Sequence, residues 1–203
     1  MPSKGARKPA TFGRSLLCCW LASSLWPTSW ADARGAAFPG GYDGAIKHAV
    51  ARWWPDLPAW KLLKAQYWQE SRLDPAARSP AGAEGIAQFM EPTWRDAIRA
   101  LGWPRTLSRR DAAYAIEGSA WYMARLRRTW TRRERHVLER HDLGLASYNA
   151  GTANVLTAQR LCADGRLWRD IAPCMPRVTG PVHARETVDY VVKVHRWYKE
   201  LGQ

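Results

Sequence analysis

A chain of 203 residues is one domain, or one domain and a tail, and with 46% apolar residues it has the means to bury a core. Lys and Arg number 31 against 18 Asp and Glu, a net charge of +13, so the partners its charge favours are polyanions: nucleic acid, an acidic membrane surface or an acidic cell wall. A solvated basic surface with no partner is the other reading. There is no zinc-finger spacing, RNA-binding aromatic signature or Gly-rich phosphate loop, so nucleic-acid partners, a metal and a cofactor are not expected.

Lys4, Arg7, Lys8 and Arg14 precede the uncharged run "SLLCCWLASSLWPTSWA", which leads into Ala31-Asp32-Ala33. A basic start, a short apolar stretch and a small-x-small site describe a secretory signal peptide over 1–33, leaving a mature domain of 34–203. The apolar part, Ser15 to Trp26, is short for a bilayer span. A basic tail or an uncleaved anchor are the alternatives. Cleavage removes four positive charges and Asp32, so the mature charge is 13 − 4 + 1, or +10. It also removes Cys18 and Cys19. Cys162 and Cys174 remain, an even pair that reads as a disulfide in an exported protein and as two buried thiols otherwise. The expected location is the periplasm or cell envelope, with no transmembrane segment in the mature chain.

The periodicity thereafter is helical. Asp43 to Trp54 carries Ile46, Val50 and Trp53 at helical spacing and stops at Pro55. Pro58 opens the next helix, in which Trp60, Leu63, Tyr67 and Glu70 share one face. After Glu70 the chain breaks into small residues, Pro and Gly, and restarts at Pro92, running to Leu101 with Gly102 beyond its end. Asp111 to Trp130 is the longest helix, with Ile116, Ala120 and Met123 inward. Asp142 to Asn149 and Thr152 to Leu161 flank Gly151. Cys162 to Pro181, rich in Pro and Gly, reads as one long lid-like loop with few core residues. His183 to Leu201 closes the chain on a stripe of Tyr190, Val194, Trp197 and Leu201. Without an alternating strand run or an internal repeat, this is an all-α globule with most of its tryptophans in the core.

Glu70 lies on an apolar face in the last turn of its helix. Lost hydration and the negative end of the helix dipole both disfavour its charged form and raise its pKa. A carboxylic acid that keeps its proton near neutral pH can protonate a glycosidic oxygen. The other reading is a buried acid neutralised by Arg72.

Four motifs surround it in order: Glu70-Ser71 with Asp74-Pro75 and Ser79-Pro80-x-Gly82-Ala83-x-Gly85; "GIAQFM", Gly85 to Met90; "ASYNAG", Ala146 to Gly151, with Val155; and Glu186-Thr187-x-x-Tyr190-Val191. A weaker one, "IEGSAWYMARL", runs from Ile116 to Leu126. Together they resemble the soluble lytic transglycosylases, the lysozyme-like enzymes that cut bacterial peptidoglycan. The resemblance implies a lysozyme-like helical domain with a substrate groove, peptidoglycan glycan strands as substrate and no cofactor. It implies Glu70 as the one catalytic carboxylate, acid first and then base, giving a 1,6-anhydromuramyl product. Ser79 and Gln88 match positions lining the site, Tyr148 and Asn149 positions that hold the sugar, and Glu186 and Tyr190 the last substrate-binding motif. Glu186 reads equally as an N-terminal acid of the last helix. Glu84 and Glu91 read as loop and helix-start residues. Two departures stand out: Ala87 replaces the family's usual Met, taking a large side chain from the groove floor, and Glu91-Pro92 alters the start of the next helix.

The competing readings are a goose-type lysozyme with water as acceptor, a non-catalytic peptidoglycan-binding part of an envelope machine, and, for a chain kept in the cytoplasm, a basic nucleic-acid binder. Small exported enzymes of this kind serve wall turnover or a secretion, conjugation or phage apparatus, and nothing in the sequence chooses among these.

Overall fold

The structure, a computed structural model, describes residues 38–202; the expected leader lies outside them. Among the described residues the chain forms helices and turns and no β-strand, with α1 Asp43–Trp53, α2 Trp60–Ser71, α3 Glu91–Leu101, α4 Ala112–Thr129, α5 Val137–Ala150 and α6 Thr152–Leu161. Two short helices, α7 Trp168–Ile171 and α8 Pro176–Thr179, precede the long α9 Pro181–Gly202. The helix α2 packs chiefly on α9, and α5 packs between α4 and α9. Residues Leu62 to Tyr67 of α2 are all buried, so this helix crosses the middle of the core instead of covering it with one stripe. Even Lys64 is inside, with its ammonium 2.6 Å from Asp43 Oδ1.

The inward faces of α4 and α9 are those expected: Ile116, Ala120 and Met123, and Tyr190, Val194 and Trp197, are buried, while Leu201 is partly so. Three segments differ. First, the presumed loop from Cys162 to Pro181 holds α7, a 3-10 turn at Ala172–Cys174 and α8. Trp168, Ile171 and Met175 enter the core at steps of three and four, a helical spacing that Pro173 between them disguises. Second, α5 starts at Val137, five residues before Asp142, because a buried His141 fills a core position with a polar letter. Third, Gly180, at φ 80, releases the chain into Pro181, which opens α9 two residues early.

Candidate active site

The end of α2 explains the break that follows it. Arg72 and Leu73 both take left-handed backbone, φ 58 and 65, and turn the chain off the helix axis. Asp74 accepts from the amide of Ala76 at 2.8 Å, and the chain then folds into a narrow hairpin-like loop bridged at Arg78–Glu84 and Glu84–Phe89. Gly85 is obligatory in this loop. Its φ is 79, and a Cβ there would stand 2.1 Å from the carbonyl oxygen of Arg109. Two hydroxyls fasten the loop to the helices: Ser71 Oγ donates to the Ile86 carbonyl at 2.9 Å, and the Tyr148 hydroxyl donates to the Ala87 carbonyl at 2.6 Å.

Beneath this loop lies Glu70, only 6% exposed. The Tyr190 hydroxyl, arriving from α9, donates to its Oε1 at 2.5 Å. Among the described residues no cation pairs with it. Arg72, the expected neutraliser, turns away: its guanidinium donates to the Trp68 carbonyl at 2.9 Å and lies over the rings of Trp68 and Trp197, at 5.1 and 4.8 Å. Burial pushes the Glu70 pKa up to about 8, while the Tyr190 hydrogen bond pulls it down. The acid therefore carries a proton at neutral pH. Burial and the charge of Glu70 together hold the Tyr190 phenol well above its ordinary value, so it remains a donor.

Glu70 and Tyr190 are in direct contact, and Tyr148 on α5 lies close enough to Tyr190 to act on its charge. Ser79 is buried and its Oγ accepts from the Ala83 amide at 3.0 Å. Gln88, at φ 45, donates from Nε2 to the Gly85 carbonyl at 2.9 Å, and its buried Oε1 has no partner. Asn149 Oδ1 accepts from Thr187 Oγ1 at 2.7 Å, which clasps α5 to α9. Glu186 instead bonds within its own helix, to His183 Nδ1 at 3.0 Å. Because α9 begins at Pro181, Glu186 sits past the first turn, and the reading of it as a helix N-terminal acid falls away.

Glu84 and Glu91 are held by arginines: Glu84 by Arg78 and Arg109 at 3.2 Å, Glu91 by Arg95 at 2.7 Å. Ala87 is fully buried. An open cavity of about 780 Å³ at the far end of α5, lined by Arg135, His136, Arg166 and Asp170 among others, takes in none of these residues. Sequence reasoning passed over Gln66, one turn before Glu70, which is fully buried. The available signal was a polar residue four positions before the acid on a helix with a buried face. Tyr190, expected in the substrate-binding motif, donates to the acid, a contact the sequence does not foreshadow.

The fold and this geometry define a class: a lysozyme-like helical domain built round one buried, proton-holding carboxylate. The family model of the transglycosylase SLT domain matches residues 57–168, and the chain belongs to that family. It is 31% identical over 160 residues to the membrane-bound lytic murein transglycosylase F of Shewanella frigidimarina, covering 70% of this chain and 31% of the relative. The protein of the same name from Vibrio cholerae is 29% identical over 179 residues, covering 77% of this chain and 32% of the relative. The chain thus spans about a third of the length of these curated relatives. In fold it is similar to the 70 kDa soluble lytic transglycosylase of Escherichia coli, with a TM-score of 0.63 and 22% identity over 80% of this chain and 25% of that one. An inactive mutant of the lytic transglycosylase Slt of Pseudomonas aeruginosa superposes with a TM-score of 0.58 at 21% identity, over 78% of this chain and 24% of that one.

Proposed function

We propose that this chain is a peptidoglycan lytic transglycosylase that cleaves the β-1,4 bond between N-acetylmuramic acid and N-acetylglucosamine. The observation that carries the reading is Glu70, buried, protonated at neutral pH and hydrogen-bonded on one oxygen only by a neutral donor. Its proton passes to the glycosidic oxygen as the C1–O bond breaks. The resulting carboxylate, steadied by the Tyr190 hydroxyl, then takes the proton of the muramyl C6 hydroxyl as that oxygen closes on C1. The product is a 1,6-anhydro sugar, and water takes no part. One carboxylate serves both steps, unlike the paired acids of ordinary glycoside hydrolysis.

Ser79, Gln88, Tyr148 and Asn149 are the residues we assign to holding the sugar, with Gln88 Oε1 as a free acceptor for a substrate N–H or O–H. Glu186 is assigned to the rim. The signal peptide reading of 1–33 and the Cys162–Cys174 disulfide support export to the periplasm or envelope. Local opening of the wall there is the service a secretion, conjugation or phage apparatus requires. Digestion of purified sacculi tests the reaction: anhydromuropeptides support it, and products heavier by one water place the chain with the goose-type lysozymes.

A further inference from the structure

We propose that Gln66 is a positioning residue for the acid, its side-chain amide holding the Tyr190 hydroxyl in the orientation that donates to Glu70. The proposal rests on the reading of Glu70 as the acid. Gln66 precedes Glu70 by four residues on α2, one helical turn, so the two side chains share a face. It is fully buried, and both its amide nitrogen and its amide oxygen lack a hydrogen-bond partner in the described conformation. Such a group is costly to keep inside a core, where buried polar atoms are almost always satisfied. Tyr190 arrives from α9 to donate to Glu70 one turn further on, and the Gln66 amide is among the groups that act on its phenol.

The direction of each bond follows from the chemistry. A phenol has one proton, and Tyr190 gives it to Glu70 Oε1. Its oxygen lone pairs are then left to accept, and an amide N–H of Gln66 is the donor at hand. A donor on the phenol oxygen polarises the O–H and strengthens its bond to the carboxylate, as in any hydrogen-bonded chain. That matters most after the first proton transfer, when Glu70 is charged and must wait to collect the second proton. The other titratable groups that act on this cluster are Tyr67 on α2 itself, which feels Glu70, Tyr148 from α5, which acts on Tyr190, and Glu117 of α4, which acts on Tyr67. Tyr67 and Tyr148 give their hydroxyl protons to the Ile116 and Ala87 carbonyls, and Glu117 accepts from the Trp53 indole.

The test is an NMR titration of the Glu70 carboxyl carbon in the full chain, carried out for wild type, Gln66→Met, Tyr190→Phe and the double variant. Loss of the amide weakens the Tyr190 donation, so the Glu70 midpoint moves to higher pH in Gln66→Met, and muropeptide release at neutral pH falls severalfold. Methionine has the same length and no donor, so it removes the proposed bond while filling the buried space, and thermal unfolding of the variant checks that the fold is kept. In the Tyr190→Phe background the same change causes no further shift. An unmoved midpoint in Gln66→Met, or an equal shift with and without Tyr190, overturns the inference. In the wild type itself, without any substitution, a cross-relaxation contact between the Gln66 amide protons and the Tyr190 hydroxyl proton is expected, and its absence counts against the inference equally. The titration and the cross-relaxation contact require no activity. If Glu70→Gln stays active, the functional reading fails. If that variant is dead while Gln66→Met leaves the midpoint in place, only the positioning role fails.

Discussion

At the scale of the residue, Glu70 is a carboxyl whose surroundings oppose its charge and whose hydrogen-bond donor, Tyr190, tolerates it. The same conflict has a cost in stability with a definite sign. The folded pKa, about 8, lies above the ordinary carboxyl value of 4.5, so the native state binds a proton that the unfolded chain releases. Stability from this group is fully present below the unfolded value, falls as pH rises, and is flat again above the folded value. Glutamine, isosteric and uncharged, removes that dependence. Glu70→Gln is therefore expected to be more stable than wild type at pH 7, by on the order of 3 kcal/mol, and so to melt at a higher temperature there and to match it near pH 4. Equal melting temperatures at both values would show that Glu70 is not desolvated in solution. In the sequence, Glu70 and its Gly-rich loop are legible, because a carboxylate on an apolar face before a break is a local pattern. The Tyr190 contact is not, since it joins residues 120 positions apart and depends on how α9 lies across α2.

At the scale of the element, the segment from α6 to α9 is where the sequence pattern and the structure differ most. Gly165, Pro173 and Pro176 punctuate it as a loop, yet Trp168, Ile171 and Met175 bury themselves and the disulfide Cys162–Cys174 closes it, with Cα atoms 5.8 Å apart. Turn chemistry was read correctly and burial was not, because each helix here has only four residues and too little length to show a period. Replacing both cysteines with alanine is expected to lower stability by up to about 3 kcal/mol in the chain-entropy account of a closed loop. The apolar packing of the segment should keep the fold itself, so thermal unfolding is the measurement, and a loss of all helical signal at room temperature would contradict it. Helix α5 holds a second pH-sensitive element. His141 is fully buried against Trp54, with Arg127 and His195 nearby, and burial pushes its pKa down to about 3. It therefore stays neutral in the fold and takes a proton when unfolded, so its contribution is present above about 6.5 and fades as pH falls toward 3. His141→Leu should flatten the loss of melting temperature between pH 6.5 and 4. A slope as steep as that of wild type would assign the acid sensitivity to another group.

At the scale of the whole molecule, helical class and chain order were visible in the sequence because α1 to α4, α6 and α9 each show an inward stripe or a Pro or Gly boundary. Which helix lies at the centre was not, since α2 is buried nearly all round and so shows little contrast between its faces. The charge of +13, or +10 without the first 33 residues, belongs to this scale as well. A wall rich in peptide carboxylates should attract it, and exposed charges are screened over about 8 Å at physiological ionic strength. Sacculus binding is expected to weaken as salt rises, followed by co-sedimentation, and binding flat from low to high salt would remove any targeting role from the charge. The claim on which the rest stands is that one buried carboxyl gives and then retrieves the proton. Its most direct test is the release of soluble muropeptides from sacculi by Glu70→Gln beside wild type, with a raised melting temperature at pH 7 as proof that the variant is folded. The account predicts anhydromuropeptides from wild type and no release above background from the variant; a folded variant that releases them at the wild-type rate contradicts it.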